Sequence, residues 1–101
     1  MSLSINTSDD AAKVLVEGEV DVSNADQLRS AVDAAVAGSA TAVTIDLAQV
    51  PYIDSTGIGV LVGAAHRAQE AGKQLVVASP QKNVARVLGL LGVADDLNIR
   101  Q

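Results

Sequence analysis

The chain has no cysteine, tryptophan or phenylalanine, and a single tyrosine, Tyr52. Without cysteine there is neither a disulfide framework nor thiolate chemistry. Lys and Arg number 7 against 12 Asp and Glu, a formal charge of −5. Nucleic-acid binding needs a basic footprint and, for single strands, aromatic platforms, so that class is excluded. A partner surface that is positively charged or carries a metal fits this balance better. The N-terminus MSLSINTSDD lacks a basic region followed by an apolar run, and the apolar stretches are too short to span a bilayer. No membrane association is expected, and the expected location is the cytoplasm.

What is present is aliphatic. The 101 residues are 49% apolar, almost entirely Ala, Val, Leu and Ile, enough for one core and one domain spanning 1–101. KVLVEGEV, Lys13 to Val20, alternates as a strand, paired with a short strand near Leu3 to Asn6 across the turn Ser8-Asp9-Asp10. A helix is predicted from Ser23, with Asp26 three residues on as a capping box. Ala25, Leu28, Val32, Ala35 and Val36 lie on its apolar side, and Gly38 follows its end. TAVTIDL, Thr41 to Leu47, is a strand; a helix follows from Ser55 to about Ala71, closed by Gly72. QLVVA, Gln74 to Ala78, is another strand. Ser79-Pro80 then opens a last helix with Val84, Val87, Leu88 and Leu91 as its stripe, and a short strand follows near Leu97 to Ile99. The order predicts an α/β domain with a mixed, mostly parallel sheet of four to five strands.

The segment VPYIDSTGIG, Val50 to Gly59, joins a strand to a helix and is the strongest functional candidate. A hydroxyl at Ser55 would sit among amides no helical carbonyl satisfies, at the positive end of the helix dipole, a place that favours phosphate. A serine there ordinarily serves as a cap, contributing about 1 kcal/mol. Asp54, Ser55 and Thr56 are three consecutive polar residues where one cap suffices. Gly57 and Gly59 lack the Cβ that would hold a partner backbone or a nucleotide away. Asp21, after the strand ending GEVD, should lie at the same sheet edge as Asp54.

Catalytic patterns fail on spacing. In the run from Gly57 to Gly63 the third glycine falls one residue late for a dinucleotide fingerprint, with Val62 in its place, and no Lys-Ser or Lys-Thr pair makes a P-loop. The sole histidine, His66, lies eleven residues along the helix from Ser55, about 16 Å away, too far for a triad. Metal binding is left to carboxylates, and the pairs Asp9-Asp10 and Asp95-Asp96 read as a solvated turn and a helix-end loop. A receiver-type phosphate site would want acidic residues after its first strand, so a hydroxyl is the better acceptor.

Through GEVD at Gly18 to Asp21, TAVTIDL, YIDSTGIGVLVG at Tyr52 to Gly63, GKQLVV, and VARVLGLLGVADDL, the chain resembles the STAS domain family, and within it the bacterial anti-sigma factor antagonists. The resemblance covers essentially the whole chain. It implies a single STAS domain, with three to four helices packed largely on one face of the sheet, that is a switch without catalytic activity, cofactor or metal. It implies that Ser55 is phosphorylated by an ATP-binding anti-sigma factor serine kinase. The unphosphorylated form would bind that partner and free the sigma factor, and a PP2C-type phosphatase would restore it. The expected docking surface comprises Asp21, Asp54, Ser55, Thr56, Gly57 and Gly59. Other family roles remain open, as a scaffold subunit of a stress-sensing complex or the cytosolic part of a lipid transporter, with Ser55 only a cap. So does a small-ligand site built on the amides of Ser55 to Gly59.

Overall fold

A computed structural model of the chain describes residues 3–8 and 12–100. Strands β1 (Ser4–Thr7), β2 (Lys13–Glu17), β3 (Ala42–Gln49) and β4 (Gln74–Ala78) form one sheet in the order β1-β2-β3-β4. β1 and β2 pair antiparallel as a hairpin, and β2-β3 and β3-β4 pair parallel, each crossover carrying a helix. The hairpin closes where the Ser8 amide donates to the Lys13 carbonyl at 2.9 Å, while Asp9 and Asp10 lie outside the described residues. The register Val14↔Ile45↔Val77 puts the buried alternate residues of all three parallel strands on one face. The opposite face carries Lys13, Leu15, Thr44, Asp46 and Ala48, none of them buried, together with Val76, which is buried in register with Thr44.

Helices α1 (Ala25–Ala37) and α2 (Ser55–Glu70) pack side by side over the buried face. Leu28 and Val32 of α1 and Leu61, Ala64 and Ala68 of α2 meet Val43, Ile45 and Leu47 in one aliphatic core. Alanine at 64, 65 and 68 keeps α2 thin, so the core fills without aromatic side chains. The helices are also tied outside it: Arg67 pairs with Asp33 at 2.5 Å, and Lys73 Nζ donates to the carbonyls of Val36, at 2.5 Å, and Gly38 beyond the end of α1. Gly72, at φ +74, lets the Lys73 amide return to the Ala68 carbonyl at 2.8 Å, ending α2 as its sequence predicted. Helix α3 (Lys82–Leu90) adds Val84 and Leu88 to the same core.

Several boundaries differ from the sequence reading. α1 begins at Ala25, not Ser23, because the Ser23 hydroxyl donates to Asp21 Oδ1 at 2.5 Å instead of reaching forward to an amide. Gly38 ends α1 at φ −74, an ordinary extended conformation rather than a left-handed one. α3 begins at Lys82, not at Ser79-Pro80, since Ser79 adopts φ +54 and its amide donates to Arg100 at 2.7 Å. Val87 and Leu91, expected in the α3 stripe, are exposed. The last strand reduces to one bridge, Ala78↔Arg100, because Asn98 turns at φ +47 and breaks the extended run.

Candidate functional site

The loops leaving β2 and β3 meet at the C-terminal edge of the parallel strands. Val20 and Ile53 form a lone parallel bridge, the Val20 amide donating to the Tyr52 carbonyl at 2.9 Å and the Asp54 amide to the Val20 carbonyl at 3.0 Å. Asp21 and Asp54 each follow a bridge residue, so they share this edge, as their positions after two strands predicted. Asp21 is braced locally: its carboxylate accepts from the Ser23 hydroxyl and, at 2.9 Å, the Ser23 amide. Those bonds favour its charged form and lower its pKa, the Ser23 hydroxyl most. Asn24 completes the turn, accepting from the Asp21 amide at 3.0 Å and donating to the Glu19 carbonyl at 2.9 Å.

The second loop corrects the placing of Ser55. The N-cap of α2 is Asp54, whose extended backbone at ψ 179 lets its carboxylate accept from the Gly57 amide at 3.0 Å. Its carbonyl accepts from Ile58 at 3.0 Å. Ser55 and Thr56 are therefore the first two helical residues, both exposed, and among the described residues neither hydroxyl has a hydrogen-bond partner. The glycines divide. A Cβ on Gly57 would lie 2.6 Å from Val20 Cγ1 and 2.8 Å from Ile53 Cγ1, so its missing side chain serves contact within the fold. Gly57 is buried and its amide taken, which corrects its expected place on a docking surface. Gly59 is exposed, with nothing within 4 Å of an added Cβ.

Three acidic residues, Glu19, Asp21 and Asp54, and no cation occur in 18–24 and 51–59. Val22 and Tyr52, 75% and 51% exposed, lie in the same loops. Sequence reasoning missed both as site residues, although Val22, set between Asp21 and Ser23, and Tyr52, the one aromatic residue of the chain, were visible signals. Cavities of about 350 and 270 Å³ lie instead around α3, the start of β4 and the C-terminal turns, lined by Ala85, Asp95 and Asn98 and by Gln69, Lys73 and Asp96. Among the described residues no three acidic, His or Cys side chains are grouped to hold a metal, and no helix is long and apolar enough to cross a membrane.

A model of the STAS domain matches residues 2–101. The chain belongs to the STAS domain family. It is 30% identical over 101 residues to the anti-sigma-B factor antagonist of Listeria monocytogenes, covering 99% of this chain and 89% of that protein. An anti-sigma factor antagonist from Mycobacterium paratuberculosis superposes with a TM-score of 0.84 at 25% identity, over 98% of this chain and 86% of the other. The Bacillus cell fate determinant SpoIIAA in its phosphorylated form gives 0.70 at 16% identity, over 99% and 92%, and shares the fold. This STAS domain therefore presents, at the edge of its parallel strands, two exposed hydroxyls on a helix N-terminus beside an acidic, partly apolar surface.

Proposed function

We propose that this STAS domain is an anti-sigma factor antagonist, switched by phosphorylation of Ser55. Its unphosphorylated form binds an anti-sigma factor serine kinase and releases the sigma factor, and a PP2C-type phosphatase reverses the modification. The observation that carries this reading is the cap. Because Asp54 satisfies the Gly57 amide, the Ser55 hydroxyl is spare to the fold and turned to solvent at the first residue of α2. A phosphoryl group there adds about −1.5 to −2 charges at a helix terminus that stabilises anions, so the domain stays folded. The same charge lands in loops that already hold Glu19, Asp21 and Asp54 and contain no Lys or Arg of their own. Facing the acidic or nucleotide-bearing site of an ATP-binding kinase, that charge is repelled and binding is lost. The cap also argues against a small anion held by the amides of Ser55 to Gly59, since Asp54 occupies those of Gly57 and Ile58.

The test is incubation with the anti-sigma factor kinase and ATP, followed by site mapping. Phosphate on Ser55 and loss of the complex are expected; phosphate on Thr56 alone, or a Ser55→Asp variant that keeps full affinity, would refute the switch.

A further inference from the structure

Helix α3 leaves Val87, Leu90 and Leu91 in water, Leu90 80% and Leu91 54% exposed. Spaced i, i+3, i+4, they share one side of the helix, and Asn83 extends that side by a turn. They are three of the five large apolar residues exposed on the described surface. Lys82 and Arg86, four apart and exposed, border this side. Of the other five cations four are engaged: Lys13 faces Asp46, Arg29 Asp26, Arg67 Asp33, and Lys73 caps α1, while Arg100, at the end of the described chain and outside α3, also has no ion pair among the described residues. Among the described residues Lys82 and Arg86 have no ion-pair partner, and the helix KNVARVLGL contains no acid. On a chain of net charge −5 this is a local reversal of charge next to uncovered leucines.

We propose that the outer face of α3 is a docking surface for a helix of another protein whose apolar stripe is edged by carboxylates. Asn83, Val87 and Leu90 follow the four-three spacing of a helix-helix seam, with Arg86 in the flanking place where an opposite charge pairs. An isologous contact with a second copy would bring Lys82 and Arg86 against their own kind. Two cations on an acidic domain attract an anionic bilayer weakly, and Val84 and Leu88, fixed in the core, keep α3 from immersing. The surface does not depend on Ser55, although Asn83 donates to the Pro51 carbonyl at 2.7 Å and so ties the start of α3 to the loop before that residue.

The experiment is an amide-resolved NMR titration of the whole chain with a synthetic helical peptide of Leu, Ala and Glu, its leucines at i, i+3, i+4 and i+7 and its glutamates flanking them. A second peptide replaces Glu by Lys. Shifts concentrated on residues 82–91 are expected, with affinity at least tenfold lower for the Lys peptide and for Lys82→Glu/Arg86→Glu, and lost in Leu90→Glu. All three substituted side chains are exposed, so the variants should melt with wild type, and Ser55→Glu should bind the peptide unchanged. The proposal is overturned by absent or scattered shifts, by equal affinity for the two peptides, by α3-dependent binding to phosphatidylglycerol vesicles in place of the peptide, or by an α3-mediated dimer that the peptide does not dissociate.

Discussion

Replacing Gly57 by alanine tests whether the bridge between the two site loops is as tight as it looks. In an open helical position the change would stabilise by up to about 1 kcal/mol, because glycine is the poorer helix former. Here the new methyl would lie 2.6 Å from Val20 Cγ1 and 2.8 Å from Ile53 Cγ1. Neither neighbour yields easily: Val20 is fully buried with a stiff β-branched side chain, and Ile53 Cγ1 is an inner atom of its chain. Overpacking of this kind costs about 1–3 kcal/mol, and two contacts under 3 Å put it in the upper part of that range. The net expectation is a loss of about 1–2 kcal/mol, a fall in Tm of roughly 4–8 °C for each kcal/mol. Gly59→Ala is the internal control, since its Cβ meets nothing within 4 Å and only the propensity gain remains. Urea and thermal unfolding followed by far-ultraviolet circular dichroism measure both, a choice forced by the absence of tryptophan. A Gly57→Ala variant as stable as Gly59→Ala would refute the tight contact, and with it the assignment of Gly57 to internal packing.

The cap assignment separates two neighbours: Asp54→Ala should lose about 1 kcal/mol, while Ser55→Ala stays within about 0.5 kcal/mol of wild type, and denaturant melts that reverse this order would return the cap to Ser55. Ser23→Ala should raise the Asp21 pKa toward the ordinary aspartate value, read by NMR titration of its carboxyl carbon. With the folded pKa depressed, the stabilisation from Asp21 is present above its unfolded pKa of about 4 and fades as the pH falls through the lower folded value, so wild type and Ser23→Ala should differ at neutral pH and converge in strong acid. Lys73→Met removes the ammonium from the Val36 and Gly38 carbonyls and should cost about 1–2 kcal/mol in equilibrium unfolding. Gly59→Leu should leave Tm at or above wild type and weaken anti-sigma factor binding on steric grounds; a destabilised variant with undiminished affinity would remove this helix face from the interface.

Periodicity alone determined the order of strands and helices, the single core and the parallel crossovers, because a two-residue or 3.6-residue repeat of Val, Leu and Ala specifies which side of each element must be buried. It also placed Asp21 and Asp54 at one edge, since both follow parallel strands. Tertiary structure decided the details in which one side chain chose between equivalent partners. Ser23 and Ser55 look like caps in sequence, and in each case a nearby aspartate changes the outcome: Asp21 draws the Ser23 hydroxyl backward, and Asp54 takes the amide that a cap at Ser55 would serve. Gly57 and Gly59 are indistinguishable on paper, yet one faces Val20 and Ile53 and the other solvent, a distinction set by the rotation of α2 on the sheet. Val87 and Leu91 carry the right period for a core stripe, but α3 has only nine residues and turns two of them inward, so their exposure depends on how far the neighbouring elements extend. Local patterns encode which residues prefer burial; the limited area of one small sheet decides which of them obtain it.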